Sequence, residues 1–122
     1  MADGRESQTF LCGILSTLSR RKLTTVARVE LSQIKPLCEG LRSRSDNQAA
    51  AESSDHYLAG RDLWELSHSP HYEKYAPGRN PEADRHFVEG LRDGYAGVRG
   101  QKSPDYLSGH KLGKETRSLS MV

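Results

Sequence analysis

The histidines and cysteines that could hold a metal or move protons are few in this chain and widely spaced. There are five histidines (His56, His68, His71, His86 and His110) and two cysteines (Cys12 and Cys38). Only His68-x-x-His71 forms a close pair, and it lies in a proline-rich stretch without the Cys-x-x-Cys or His-Glu-x-x-His spacing that gathers zinc ligands. The glycines Gly90, Gly94, Gly97 and Gly100 lack both a preceding strand and the Gly-Lys-Ser/Thr ending of a phosphate loop. Glu82, Glu89 and Asp93 stand at helical spacing among arginines, which reads as surface ion pairing rather than acid–base work. The residues therefore predict no metal site, no cofactor and no catalysis, and point to a small regulatory protein that acts by binding.

What it binds is constrained by charge and aromatic content. The net charge is only +2 but is unevenly laid out. From Arg99 onward, Arg99, Lys102, Lys111, Lys114 and Arg117 face only Asp105 and Glu115. A basic tail suits an anionic partner such as RNA, although an excess this small also fits an ordinary solvated surface. A second cluster, Tyr57, Trp64, Tyr72 and Tyr75, falls within nineteen residues. Interface cores are enriched in Tyr and Trp, so these four predict a protein-binding alternative: an adaptor or inhibitor, of the kind phages and mobile elements carry. Packing of a loop on its neighbouring helix would account for the same cluster. DNA binding by the basic N-terminal half is a weaker third reading, since no helix-turn-helix turn is recognisable there. The N-terminus does not resemble a secretory leader, no stretch approaches a membrane span, and two cysteines allow one disulfide at most. Free thiols in a cytoplasmic setting, without membrane contact, are expected.

The elements that must carry these groups read as helices. Apolar residues make up 34% of the chain, which predicts a modest core. Phe10, Leu11, Ile14, Leu15 and Leu18 follow helical spacing. Ser32 is the expected cap of a helix bearing Ile34, Leu37, Cys38 and Leu41, with Pro36 near its first turn. Thr24–Leu31 reads as an irregular link. Ala49–Ala51 favour helix and predict that residues 42–54 run into the helix of Tyr57, Leu58, Trp64 and Leu66. Residues 67–81 form a proline-rich loop that Tyr72 and Tyr75 could tack to the body. Asn80-Pro81, with Glu82 and Asp84 behind them, start a helix that stops at Gly97, and Ser103-Pro104-Asp105 starts the last. The predicted fold is all-α: a small domain of four to five short helices. It comprises an N-terminal helical segment, 1–45, and a helical region, 46–122, that ends in a hairpin over 80–116.

One pattern recurs. Ser54–Leu63 and Ser103–Leu112, 49 residues apart, share five of ten positions, and Phe87–Gly90 repeats the aromatic-x-x-Gly spacing. This reads as repeated use of one packing device rather than as a claim of duplication. Gly90 and Gly94 share one helical face, as do Gly109 and Gly113. A glycine inside a helix costs about 1 kcal/mol against alanine, so four of them need a reason. Close approach of two antiparallel helices supplies it.

Gly90-Leu91-Arg92-Asp93-Gly94-Tyr95-Ala96-Gly97, followed by Tyr106-Leu107-Ser108-Gly109 and Gly113, resembles the ribosome modulation factor family of bacteria. The resemblance covers about 30 residues, on glycine and aromatic spacing. It implies a helical hairpin that binds the ribosome or structured RNA. It would make Tyr95, Arg99, Lys102, Tyr106, His110, Lys111 and Lys114 the contact residues, cations on phosphates and aromatics on unpaired bases. His110 stands where the family tends to place an aromatic, and the link between the helices is shorter than in the family. The charge is also milder, and the preceding residues have no counterpart.

Overall fold

The computed structural model describes residues 4–18, 20–26, 30–100 and 103–120. Seven helical segments follow one another: α1 (Gly4–Thr17), α2 (Arg21–Thr25), α3 (Leu31–Ser45), α4 (Asp55–Ser67), α5 (Tyr72–Tyr75), α6 (Pro81–Ala96) and α7 (Pro104–Ser120). Among the described residues there is no strand, so the fold is all-α. Five are substantial helices, and α2 and α5 are single turns, which accounts for the difference from the expected four to five.

Local sequence sets most boundaries. Asn80 caps α6 through its side-chain oxygen, which accepts from the N–H groups of Glu82 and Ala83 (3.1 and 3.2 Å), with Pro81 behind it. Ser54 does the same for α4, accepting from Tyr57 N–H. For α3 the cap is Glu30 rather than Ser32. Its side chain and that of Gln33 form a reciprocal capping box, and Pro36 sits inside the helix. Thr24 and Thr25 close α2 instead of forming a link. Their hydroxyls bond back to the Arg20 and Arg21 carbonyls while Leu23 is buried below. Residues 27–29 lie outside the described residues.

Ala49–Ala51 are not helical. Asn47 takes a positive φ of 58°, a conformation that ends α3, and Gln48 N–H bonds back to Ser43 O. Ala51 N–H then donates to Tyr57 Oη at 3.1 Å. A tertiary anchor and a helix stop override alanine's intrinsic preference.

The most extensive packing joins α6 to α7, followed by α3 to α4. Each pair is a hairpin, but in the second the chain turns back so that α7 runs alongside α6 in the same sense and not antiparallel as expected. Ser103, ahead of α7, lies 3.4 Å from His86 early in α6, and Arg117 near the end of α7 lies against Gly97 at the end of α6. The boundary near residue 45 falls in the loop of the first. In the second, Gly90 faces the carbonyl of Tyr106, Gly94 that of His110, Gly109 that of Phe87 and Gly113 that of Leu91. A Cβ at any of these positions would collide with main chain that cannot move aside. Such crossings let Cα–H groups face carbonyl oxygens directly.

The first hairpin repeats the device. Gly40 faces the Tyr57 carbonyl and Gly60 faces that of Leu37. Glu39-Gly40-Leu41-Arg42 accordingly recurs as Glu89-Gly90-Leu91-Arg92, fifty residues on. The loops match bond for bond. Ala51 N–H to Tyr57 Oη corresponds to Gly100 N–H to Tyr106 Oη (2.8 Å), and Gln48 N–H to Ser43 O corresponds to Val98 N–H to Asp93 O. Asn47 stands where Gly97 stands, and both have positive φ.

A single core joins both hairpins to α1. It includes Leu11, Ile14 and Leu15 of α1, Leu37 and Leu41 of α3, Leu63 of α4, Phe87 and Leu91 of α6 and Leu112 of α7. Phe10 packs on Phe87 with centroids 4.7 Å apart, and Ser7 Oγ donates to Ser108 O. The 67–81 stretch is pinned to α6 by Asp84, which is 1% exposed. This carboxylate accepts from Tyr72 Oη (2.5 Å) and from Arg79 Nε and Nη2 (2.7 and 3.1 Å). Burial, with Asp84 alongside, pushes the Tyr72 phenol well above its ordinary value.

Candidate functional site

The C-terminus of α6, the turn at 97–99 and one face of α7 enclose an open cleft of about 410 Å³. Gly97 ends α6 with φ 81°, and Val98 N–H returns to Asp93 O at 2.9 Å, satisfying an end carbonyl of the helix. The turn thereby projects Val98 and Arg99 outward, and Val98 is 54% exposed. His110 holds the turn from α7. Its Nε2 donates to Val98 O at 2.7 Å, which fixes the proton on that nitrogen. Lys114 stands one turn further along α7, and the Arg117 guanidinium lies against Gly97 in the space a side chain there would need.

Arg99, Lys114 and Arg117 thus converge, and no carboxylate lines the cleft. The partial negative charge at the end of α6 favours cations at this place. The arrangement suits an anion that spans several contacts. No three potential metal-binding side chains come together among the described residues.

A second cleft, of about 340 Å³, lies at the matching end of the first hairpin. Arg42, Glu39 and Asp46 line it, leaving it acidic on balance. Tyr57 Oη receives the Ala51 N–H and lies beside Ser43. The hydrogen bonds available from Ser43 and Ala51 hold the phenol below its ordinary value. Arg61 Nη1 ties Ser43 Oγ (2.6 Å) and Gln48 O (2.8 Å) together in the position His110 occupies in the second hairpin.

The structure divides the RNA-contact residues implied by the family resemblance. It gathers Arg99, His110 and Lys114 in the cationic cleft and adds Arg117, which stands three residues after Lys114 on the same helical face. Lys111 is half-buried on α7, and Lys102 lies outside the described residues. Tyr106 does not belong with them. It is 0% exposed, and its hydroxyl donates to Asp93 Oδ2 at 2.5 Å, so its ring is a core residue and cannot receive a base. Tyr95 turns toward α3 and lines the other cleft; burial and the nearby Glu39 raise its phenol.

The aromatic alternative fares differently. Tyr57 and Tyr72 are buried, at 3% and 1% exposure. Trp64 and Tyr75 are half-buried against the core. Trp64 stacks on His68 (4.0 Å), with the Arg92 guanidinium 4.9 Å from its ring, and Arg20 lies over Tyr75. These four rings do not form an exposed apolar patch.

Cys12 and Cys38 are free, and burial pushes the Cys38 thiol far above its ordinary value. Among the described residues no helix is long and apolar enough to cross a membrane. Comparison with protein-family models, curated proteins and solved structures finds no match to this chain.

Proposed function

We propose that this chain is a small, non-enzymatic regulatory protein that binds structured RNA, with the ribosome as its chief partner, through the cationic cleft of the second hairpin. The observation that carries the reading is the convergence of Arg99, Lys114 and Arg117 on a cleft without carboxylates, floored by an exposed Val98. Phosphate contacts from Lys and Arg supply most of the affinity of such proteins and make it salt-dependent. The resemblance of residues 90–113 to the ribosome modulation factor family supports the same partner. The protein-binding reading loses its ground because Tyr57, Trp64, Tyr72 and Tyr75 are engaged in packing.

The test is sedimentation of the tagged protein with cell lysate through a sucrose gradient at low and moderate salt, beside RNase-treated lysate. Co-migration with ribosomal particles is expected at low salt and is reduced by salt, by RNase and by Arg99→Glu/Lys114→Glu. Protein that remains at the top of the gradient at both salts would rule out the ribosome.

A further inference from the structure

Resting on the RNA reading above, we infer that the cleft grips the phosphate backbone of paired RNA and offers no stacking platform to unpaired bases. Proteins that hold single strands combine a cationic groove with aromatic faces on which successive bases stack. Double-helical RNA is held instead by contacts to phosphates and 2′-hydroxyls across its shallow groove, with shape rather than sequence deciding.

The chain has eight aromatic residues, two Phe, five Tyr and one Trp, and all lie within the described residues. None is exposed. Tyr57, Tyr72, Phe87 and Tyr106 are buried, and the other four are half-buried against the core. Tyr95, next to Gly94 of the cleft, lines the other cleft, and Tyr106, one turn before His110, is anchored by its hydroxyl, which donates to Asp93 and accepts from Gly100 N–H. Freeing that ring for a base would break two buried bonds and empty part of the hairpin. The His110 imidazole, the one ring in the cleft's lining, is half-buried, with its Nε2 edge held at the Val98 carbonyl and the Tyr106 ring 5.9 Å away.

What the site does offer is point charge. Lys114 and Arg117 stand three residues apart on α7, a rise of about 4.5 Å, and Arg99 flanks them from the turn. Cations fixed on a rigid helix and the neighbouring turn, with no Phe, Tyr or Trp among them, fit a backbone held in regular geometry. A flexible single strand would have to be ordered by those charges alone.

The experiment uses the full chain and three probes: a blunt-ended RNA duplex, a polyuridine strand with the same number of phosphates, and a single strand carrying 2-aminopurine. Anisotropy titrations across a salt series should show the duplex bound at least tenfold more tightly than the single strand. The plot of log affinity against log salt should have a slope near −2.7, from three cations at about 0.9 each. Lys114→Glu should make that slope shallower by about one, and 2-aminopurine fluorescence should not change on binding. A single strand bound as tightly as the duplex, or quenching of 2-aminopurine, would overturn the inference while leaving RNA binding intact. Failure to bind either RNA at any salt would overturn the RNA reading itself, and this inference with it.

Discussion

The two hairpins share a skeleton and differ in what they present. Both bring helices together through glycines that meet carbonyls, and both fasten the loop to a tyrosine hydroxyl in the following helix. In the second, Gly94 and Gly113 extend the close approach, whereas the first has Arg44 and Trp64 at the matching positions. On the outer helix the charges are reversed. Lys111 and Lys114 of α7 correspond to Asp62 and Glu65 of α4, and Arg20 lies within 3.4 and 3.9 Å of those carboxylates. A spaced glycine–aromatic motif therefore marks a tightly packed hairpin. In the function proposed above, the RNA is met by residues the packing leaves alone.

Breaking the shared skeleton should have the largest effect. Gly90→Ala and Gly109→Ala each drive a methyl into main chain, and each should cost about 3 kcal/mol in urea unfolding, with the pair failing to fold. Gly40→Ala and Gly60→Ala should cost about as much. Tolerance of either would break the equivalence of the two hairpins.

Next come the tyrosine anchors. Asp93 accepts from Tyr106 Oη and from Arg92 Nε and Nη2 (2.8 and 2.6 Å), so Asp93→Ser should cost about 2 kcal/mol. The reciprocal Ser43→Asp places a carboxylate beside Arg61 and should stay within about 0.5 kcal/mol of the parent. A large loss there would show that the first loop depends on a neutral hydroxyl.

The surfaces can be compared by giving the second hairpin a residue of the first. Lys114→Glu, at an exposed position, should lower RNA affinity about tenfold, or about 1.4 kcal/mol, with the melting temperature unchanged. Retained affinity would move the binding face away from α7.

The smallest effect should come from the joint between the hairpins. His68, at the end of α4, stacks on Trp64 and lies 3.9 Å from Glu89 of α6. Burial holds its pKa below the ordinary value, so the folded chain resists a proton that the unfolded chain accepts. Its stabilising contribution is complete above about pH 6.5 and is lost as pH falls through the depressed value. Chemical denaturation at pH 7.5 and 5.5 should show a modest loss that His68→Gln removes. An unchanged pH dependence in that variant would assign the loss to other groups.

Much of this was legible in the sequence, and the failures have physical causes. The α6 boundaries, the all-helical class and the second hairpin follow from a strong cap, a left-handed glycine and four glycines that only close packing explains. The first hairpin escaped because the pattern that points to it begins with an aromatic. Leu37 stands where Phe87 stands, yet the notch requires only the glycine and the opposing carbonyl. Ala49–Ala51 misled because helix preference was weighed without the stop at Asn47. Of the cations expected from charge, Arg99 and Lys114 line one cleft, whereas Lys111 does not. Tyr106 could not be placed, since an aromatic beside glycines and basic residues fits either a stacking platform or a core, and only its bond to Asp93 decides.

The repeated notch also bears on how the chain reaches its fold. Each hairpin pairs helices close in sequence, so both can form early and locally. Yet α4 carries a glycine face cut to the same template as α7, and either could seat on α3 or α6 of another molecule. Refolding at high concentration should therefore yield exchanged pairings, a hazard of chains with repeated parts. The charge reversal between α4 and α7, together with the extra notches at Gly94 and Gly113, distinguishes the correct partner from its copy.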